Sequence, residues 1–574
     1  MAEKEEEMTA SADSWDVITD CVIVGSGGGS MCAALALVDA GYEALILEKT
    51  ESVGGSTAMS AGVMWLPDNK VSRAAGAQDS REQALRYFES TVGHDLPSTS
   101  IERTNSFLGA VDPMITFLEK QGMKFRPCID YPDYYDERPG GSDGARSIET
   151  ELFDIKKLGP WRDRLRVNEM LPPLAMYSSE YAPATLSGRT LRSLSVIAKV
   201  AGRTLRGVAR RQALRGSGTA LQGWLLHLAV QANVPIWTST SVSDLIIDDT
   251  GAVIGVVAFR NGKSMRIRAR RGVLLNSGGF ALSESMRQKY SPQPTSTDWS
   301  MASPGDTGEV LQAAIRAGAA TDLMDEAWWM PMSTLPDGTR LFSVYERSKP
   351  HAIMVDSGGQ RFVNEAASYM EVGKAMYERN SIQSAVPSWF IMDSRNRKKY
   401  VWGKAPGGLT PKKWISERYM IKADTLDELA RECGIDSDGL RTTVDRYNTH
   451  AAGGKDPEFQ KGERGYDRYY GDPQHGSNPC VGTVEKGPFY AVALYPGDLG
   501  TCGGVLTDEH AQVLDTKGNT INGLYATGNC SATLMGRMYP GAGATVSASF
   551  VFGWIAAQSI SRLQAVPETL IENH

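Results

Sequence analysis

The stretch Cys21-Val-Ile-Val-Gly-Ser-Gly-Gly-Gly-Ser30 decides the fold. Cys21–Val24 is a short apolar run that reads as a buried strand. It breaks into glycines, and an apolar stretch of helical length, Met31 to Ala40, follows and stops at Gly41. A second apolar run, Ala44 to Leu47, ends in Glu48. Strand, glycine turn, helix, strand and acid, in that order, make a dinucleotide site. Gly25 allows the tight turn, Gly27 lets the backbone approach a pyrophosphate, and Ser30 stands where a small residue keeps helix and strand close. Ser26, Gly28 and Gly29 complete the turn. The helix N-terminus faces the phosphates, and Glu48, 23 residues after Gly25, is placed for a ribose hydroxyl.

The rest of the chain is compatible with a large ligand of this kind. It has 574 residues, 41% hydrophobic and 22% charged, an ordinary composition for a globular protein of several units. Its 59 glycines are about 10% of the chain against a usual ~7%, an excess that suits tight turns and close backbone approach. The net charge of −7 argues against a nucleic-acid partner. Seven scattered cysteines contain no CxxC pair, which argues against a disulfide framework or a zinc ribbon, and they read as small packing residues. His351 and His475 lack ligand spacing, so no metal site is expected. The acidic Met1–Asp16 segment has no signal-peptide core, and no stretch reaches 18 apolar residues; a cytoplasmic location is expected.

The pieces that follow point to FAD over NAD. After Glu48 and Lys49 comes a second glycine turn with hydroxyls, Gly54-Gly55-Ser56-Thr57-Ala58, then Ser60-Ala61-Gly62, which suits a cofactor extending beyond the first strand–helix unit. Later, Gly272 to Gly279 (with Ser277 and Gly278) and Gly523 to Asn529 (with Gly528) are apolar strands ending in glycine turns. Val242 and Asp306, which precedes the helical run Glu309–Ala317, join the cofactor set. With these pieces in this order, nearly the whole chain resembles the FAD-dependent fumarate reductase/succinate dehydrogenase flavoprotein superfamily. The resemblance implies an α/β fold: a discontinuous Rossmann-like FAD-binding domain, residues 1–329 and 501–574, with an inserted α+β substrate domain, residues 330–500.

Within that superfamily the motifs Gly497-Asp-Leu-Gly-Thr-Cys-Gly-Gly504, Met538-Tyr-Pro-Gly-Ala-Gly543, Pro132-Asp-Tyr-Tyr135 and Arg361-Phe-Val-Asn-Glu-Ala-Ala-Ser-Tyr369 resemble the 3-ketosteroid Δ1-dehydrogenases. The resemblance implies that Tyr539 and Gly543 hold the steroid 3-keto oxygen, that Tyr369 takes the C2 proton, and that Tyr134 assists it. Ala542 stands where the family often has Pro, a mild departure because the Gly543 N–H is the group required. A hydroxyl and a backbone N–H at the ketone act as an oxyanion hole. The small, apolar run Gly541 to Ala548, which holds Gly543, Ala544 and Val546, would start a helix with its N-terminus at the flavin pyrimidine. The expected reaction is 3-keto-4-ene to 3-keto-1,4-diene in bacterial steroid degradation, with FAD as cofactor and an external quinone or dye-like electron acceptor. Three alternatives stay open: a Δ4-(5α)-dehydrogenase, a fumarate or enoate reductase, and a flavoprotein that only carries electrons. The aromatic segment Ala327-Trp-Trp-Met-Pro331 favours a large apolar ketone over a dicarboxylate.

One segment stands apart. From Tyr181 to Ser243 there is no acidic residue, yet eight cations fall between Arg189 and Arg215. Wound at ~100° per residue, Arg192, Lys199, Arg203, Arg206 and Arg210 form one stripe, with Leu194, Ile197, Ala201, Leu205 and Val208 opposite. A basic amphipathic helix over residues 186–214 predicts peripheral contact with the inner face of the cell membrane.

Overall fold

The computed structural model describes residues 14–562 apart from 145 and 169. Strand β1 (Val17–Val24) lies at the centre of the larger sheet, parallel to β2 (Ala44–Leu47) on one side and to β3 (Lys263–Leu275) on the other. Strand β4 (Thr520–Ala526), nearly 500 residues from β1 in the chain, continues the sheet parallel to β3. The inner strands carry aliphatic side chains on both faces, as burial on both faces demands. One face packs Ile23, Ile46 and Leu274, and the other packs Val22, Leu45 and Val273.

Among the helices are α1 (Gly28–Asp39), α2 (Leu191–Ala209), α3 (Tyr369–Asn380) and α4 (Ala544–Arg562). Helix α1 is buried from Gly28 through Leu37, so it carries no polar face along that length. Glycine brings it against α4: a Cβ on Gly28 would sit 1.9 Å from the Phe550 ring, and one on Gly29 2.3 Å from the Ser549 carbonyl oxygen. Contact this close buries two helices against each other with little space for side chains.

A second, antiparallel sheet of six strands occupies the stretch between Ala327 and Thr501. Its Ala327–Thr334 strand is buried from Ala327 through Ser333 and pairs with Phe489–Thr501, Trp329 lying opposite Asp498. That aspartate forms a fully buried ion pair at 2.7 Å with Arg287 of the short helix Glu284–Tyr290, tying the helix to this sheet. All seven cysteines are buried and free.

Helix α2 reverses the usual arrangement. It buries only Ser193, Val200 and Gly207, while Leu191 is 86%, Leu205 69% and Val208 66% exposed. Leu194 and Ile197 continue that exposed apolar stripe. Of the cations, Arg203 reaches inward to Glu180 and lies over the Tyr177 ring, and Arg192 pairs with Asp130. No helix among the described residues is long and apolar enough to cross a membrane, and none of their His, Cys, Asp and Glu side chains cluster as metal ligands.

Candidate active site

The parallel register sets the site. Val24 lies beside both Leu47 and Leu275, and Leu275 beside Ala526, so four strands end at one level. The chain then turns at Gly25, at Asn276-Ser277-Gly278 and at Thr527-Gly528-Asn529 along a single edge. Gly25 donates to the Leu47 carbonyl at 2.8 Å, and Asn276 to that of Val24 at 2.9 Å. Gly25 has φ +97°, and a Cβ there would lie 2.2 Å from the Asn276 carbonyl oxygen. A side chain on Gly278 or Gly528 would strike Asp306 or Asn276. Above this edge opens a cavity of about 610 Å³.

Most of the expected cofactor residues line it. Gly25, Ser26, Gly27, Glu48 and Lys49 form one part of the wall, and Gly55, Ser56, Thr57, Gly278 and Asp306 the next. Ser60, Ala61, Gly62, Ser277, Gly528 and Asn529 extend it toward Gly543 and Val546, and Val242 also contributes. The Glu48 carboxylate is held by the Ser26 hydroxyl at 2.5 Å and by Thr50. Lys49 turns outward to Thr307 and Glu309. Gly28, Gly29, Ser30, Gly54, Gly279 and Ala544 lie behind the wall. Gly28 and Gly29 serve the α1–α4 contact, Ser30 bonds Asn276, and Gly279 packs against the Thr501 hydroxyl.

The cradle fits FAD. The Ncap of α1 is Gly27, which has no side chain to cap the helix. Thr57 Oγ1, itself on the cavity wall, accepts from the Gly28 N–H at 3.1 Å, so hydroxyl and helix N-terminus together face the space where an anion would sit. Burial pushes the Asp306 carboxyl from 3.8 up to about 7, which weakens its negative charge near neutrality and so lessens its repulsion of an anionic cofactor. Asn168 and Ser217 also line the wall, and no motif in the sequence marks them; Asn276, within the Gly272–Gly279 stretch, lines it too.

At the far end of the cavity three tyrosines from distant parts of the chain meet. The Tyr134 and Tyr369 rings lie 5.3 Å apart at 80°, Tyr369 and Tyr539 5.1 Å at 64°, and Tyr134 and Tyr539 stack at 5.4 Å. The Tyr134 hydroxyl donates to that of Tyr369 at 3.5 Å. Tyr369 is the first residue of α3, and Tyr134 is tied to the Tyr539 loop by its N–H to the Pro540 carbonyl at 3.0 Å. Adjacent Tyr135 points elsewhere, toward the Ser368 hydroxyl.

Burial is the first cause of every tyrosine shift here. It raises Tyr369 and Tyr134 well above 10 and Tyr539 to about 12. Against that rise, the Tyr134 hydroxyl lowers Tyr369, and hydrogen bonds from Tyr369 and the Thr545 and Gly543 backbone lower Tyr539. The Tyr539 hydroxyl and the Gly543 backbone therefore converge. Gly543 has φ +90°, and a Cβ would lie 2.0 Å from the Val63 carbonyl oxygen, so the turn requires glycine. Trp65 backs the same turn, facing Gly541 and donating its indole N–H to Asp133 at 2.7 Å.

Beyond these, Tyr131, Tyr345, Tyr469 and Tyr470 complete an aromatic wall. Tyr131 stacks on Tyr469 at 4.6 Å, and its hydroxyl meets that of Tyr470. Sequence reasoning missed this wall because its members share no spacing. Among the described residues the cavity lining has no histidine, and its cations, Lys49 and Arg316, pair with Glu309 and Asp244.

Comparison with known proteins agrees with this geometry. The FAD binding domain family matches residues 20–546. The 3-oxosteroid 1-dehydrogenase of Mycolicibacterium smegmatis is 37% identical over 560 residues, 95% of this chain and 98% of that protein. Its counterpart in Mycobacterium tuberculosis is 38% identical over 556 residues, 94% of this chain and 98% of that one. The crystal structure of 3-ketosteroid Δ1-dehydrogenase from Sterolibacterium denitrificans in complex with 1,4-androstadiene-3,17-dione superposes with a TM-score of 0.90 at 37% identity, covering 95% of this chain and 99% of that chain. A cradle for FAD, a corner of three buried tyrosines and likeness along the whole length lead to one conclusion: the chain belongs to the FAD-binding-domain family of flavoproteins and, within it, to the 3-oxosteroid 1-dehydrogenases.

Proposed function

We propose that the protein catalyses the FAD-dependent 1,2-dehydrogenation of 3-ketosteroids, converting the 3-keto-4-ene to the 3-keto-1,4-diene. The observation that carries this reading is the convergence of Tyr369, Tyr539 and the Gly543 backbone at the end of an aromatic cavity that also holds the cofactor cradle. The C3 oxygen accepts from the Tyr539 hydroxyl and the Gly543 N–H. These donors stabilise the negative charge that develops on it, and fixed donors in a buried site do so without reorganising. Enolate stabilisation makes the C2 proton acidic, and Tyr369 takes it. FAD, when bound, supplies the acceptor for the hydride leaving C1. Tyr134 donates to the Tyr369 oxygen and offsets part of the burial that disfavours its charged form. The aromatic wall excludes water and offers a steroid nucleus flat apolar faces. A dicarboxylate would need free cations, and the lining cations are already paired.

Anaerobic addition of 4-androstene-3,17-dione tests the reading. Bleaching of the flavin band with formation of the 1,4-diene is expected. Activity only on 5α-saturated ketones, giving the 4-ene, would shift the assignment to the neighbouring bond.

The exposed apolar stripe of α2, within a segment of eight cations, supports a further part of this reading: peripheral docking through residues 186–214 on an anionic membrane surface. Leu171, Tyr181 and Ala182, just ahead of α2, line the cavity, so substrate dissolved in the bilayer has a short path inward. Co-sedimentation with phosphatidylglycerol vesicles, compared between the intact protein and a deletion of that segment, tests it. Equal binding by both removes the idea.

A further inference from the structure

Tyr369 and Tyr539 reach the ketone corner from separate elements, the start of α3 and a loop ahead of α4. Their spacing depends on how those elements are held together. Glu326, one residue before the Ala327–Thr334 strand, is only 3% exposed and touches both. Its Oε2 accepts from Lys374 Nζ of α3 at 3.1 Å and from Arg537 Nη1, two residues before Tyr539, at 3.2 Å. Lys374 Nζ also donates to the Arg537 carbonyl at 3.0 Å. The other carboxylate oxygen accepts the Trp329 indole N–H, and Asp325 grips the remaining face of Arg537 at 2.9 and 3.0 Å. The strand itself repeats the link: the Trp328 ring meets Tyr539 edge-on at 5.2 Å, and the Trp329 ring meets Tyr377 of α3 at 5.0 Å.

We propose that Glu326, bridging Lys374 and Arg537, is a positioning residue that sets the distance between Tyr369 and Tyr539. The proposal rests on the dehydrogenase reading above. Two carboxylates face two cations, so the cluster is neutral as a unit. The bridging carboxylate is buried while Lys374 and Arg537 are half-exposed, so the link has a fixed centre and adjustable arms. A buried carboxylate that loses one partner is left under-compensated, and without Lys374 the direct tie between α3 and the Arg537 loop is gone.

The test compares the FAD-loaded wild type with K374M, K374R and E326Q. In K374M and E326Q, kcat for 4-androstene-3,17-dione is expected to fall about tenfold while KM stays within about twofold, since small misplacement of reacting groups costs rate more than affinity. Flavin content remains that of the wild type, melting temperature falls in K374M because the buried carboxylate loses a partner, and K374R recovers most of both losses. A second readout needs no turnover. The tyrosinate absorbance titration of Tyr369, isolated by subtracting the same variant carrying Y369F, is expected to shift in K374M and not in K374R. It judges positioning even if the wild type desaturates no steroid, an outcome that would overturn the dehydrogenase reading alone. Unchanged kcat and titration in K374M overturn the positioning role. Impairment of K374R equal to that of K374M, or a loss of rate fully accounted for by loss of flavin, also overturns it.

Discussion

The cofactor cradle and the ketone corner share one cavity and are built on opposite plans. The cradle is backbone: glycine turns at the ends of parallel strands, each within a few residues of the strand that positions it. The corner is side chain: Tyr134, Tyr369 and Tyr539 come from three elements and meet only in the folded chain. A backbone cradle fails wholly when one Cβ is added, because nothing can rotate away. A side-chain corner degrades stepwise, hydroxyl by hydroxyl.

Gly25→Ala is the sharpest way to break the cradle. With φ at +97° and a carbonyl oxygen 2.2 Å from the new Cβ, the variant is expected to purify without flavin and without activity, checked by the absorbance spectrum. In the corner, Tyr369→Phe and Tyr539→Phe are expected to keep FAD and lose about 10²–10³ in kcat, the usual cost of one oxyanion-hole donor. Near-normal turnover in Tyr369→Phe would refute its assignment as base. Because burial holds Tyr369 above 10, the wild-type kcat/KM is expected to climb with pH through the neutral range toward the alkaline side. Tyr134→Phe is expected to cost about tenfold, the scale of one hydrogen bond, and to move that climb to higher pH.

The smallest expected effect sits in the cradle and is read on the FAD-free protein. The native Asp306 carboxyl is raised from 3.8 to about 7, so the folded state binds a proton that the unfolded chain releases. Its contribution to stability is then full below about pH 4 and declines as pH rises through about 7. Asp306→Asn is expected to flatten the fall in melting temperature across that window, by a few degrees at most. An unchanged pH profile would place the raised carboxyl elsewhere.

This contrast also decides what could be read from the chain. Gly25, Gly27 and Glu48 are legible because spacing along one strand–turn–helix unit fixes their geometry. Gly28 and Gly29 belong to the same run, yet they face α4, because glycine that admits a phosphate and glycine that admits a helix look alike in sequence. Tyr539 was accessible through its glycine-flanked motif. Tyr131, Tyr345, Tyr469 and Tyr470 were not, since a wall assembled by tertiary packing leaves no period to detect. For α2 the two stripes were legible, but not which one the fold would cover. Burial of Ser193, Val200 and Gly207 answers that, and leaves the leucines outside.

The sequestered thiols have a practical consequence. All seven cysteines are free and buried, and burial raises each of them above the ordinary thiol range, which suppresses the reactive thiolate. The native chain is therefore close to a blank background for thiol chemistry. A cysteine introduced at exposed Ser195 on α2 would carry an environment-sensitive dye with none of the seven removed, and its emission would record whether that face meets water or lipid while the flavin reports turnover in the same cuvette.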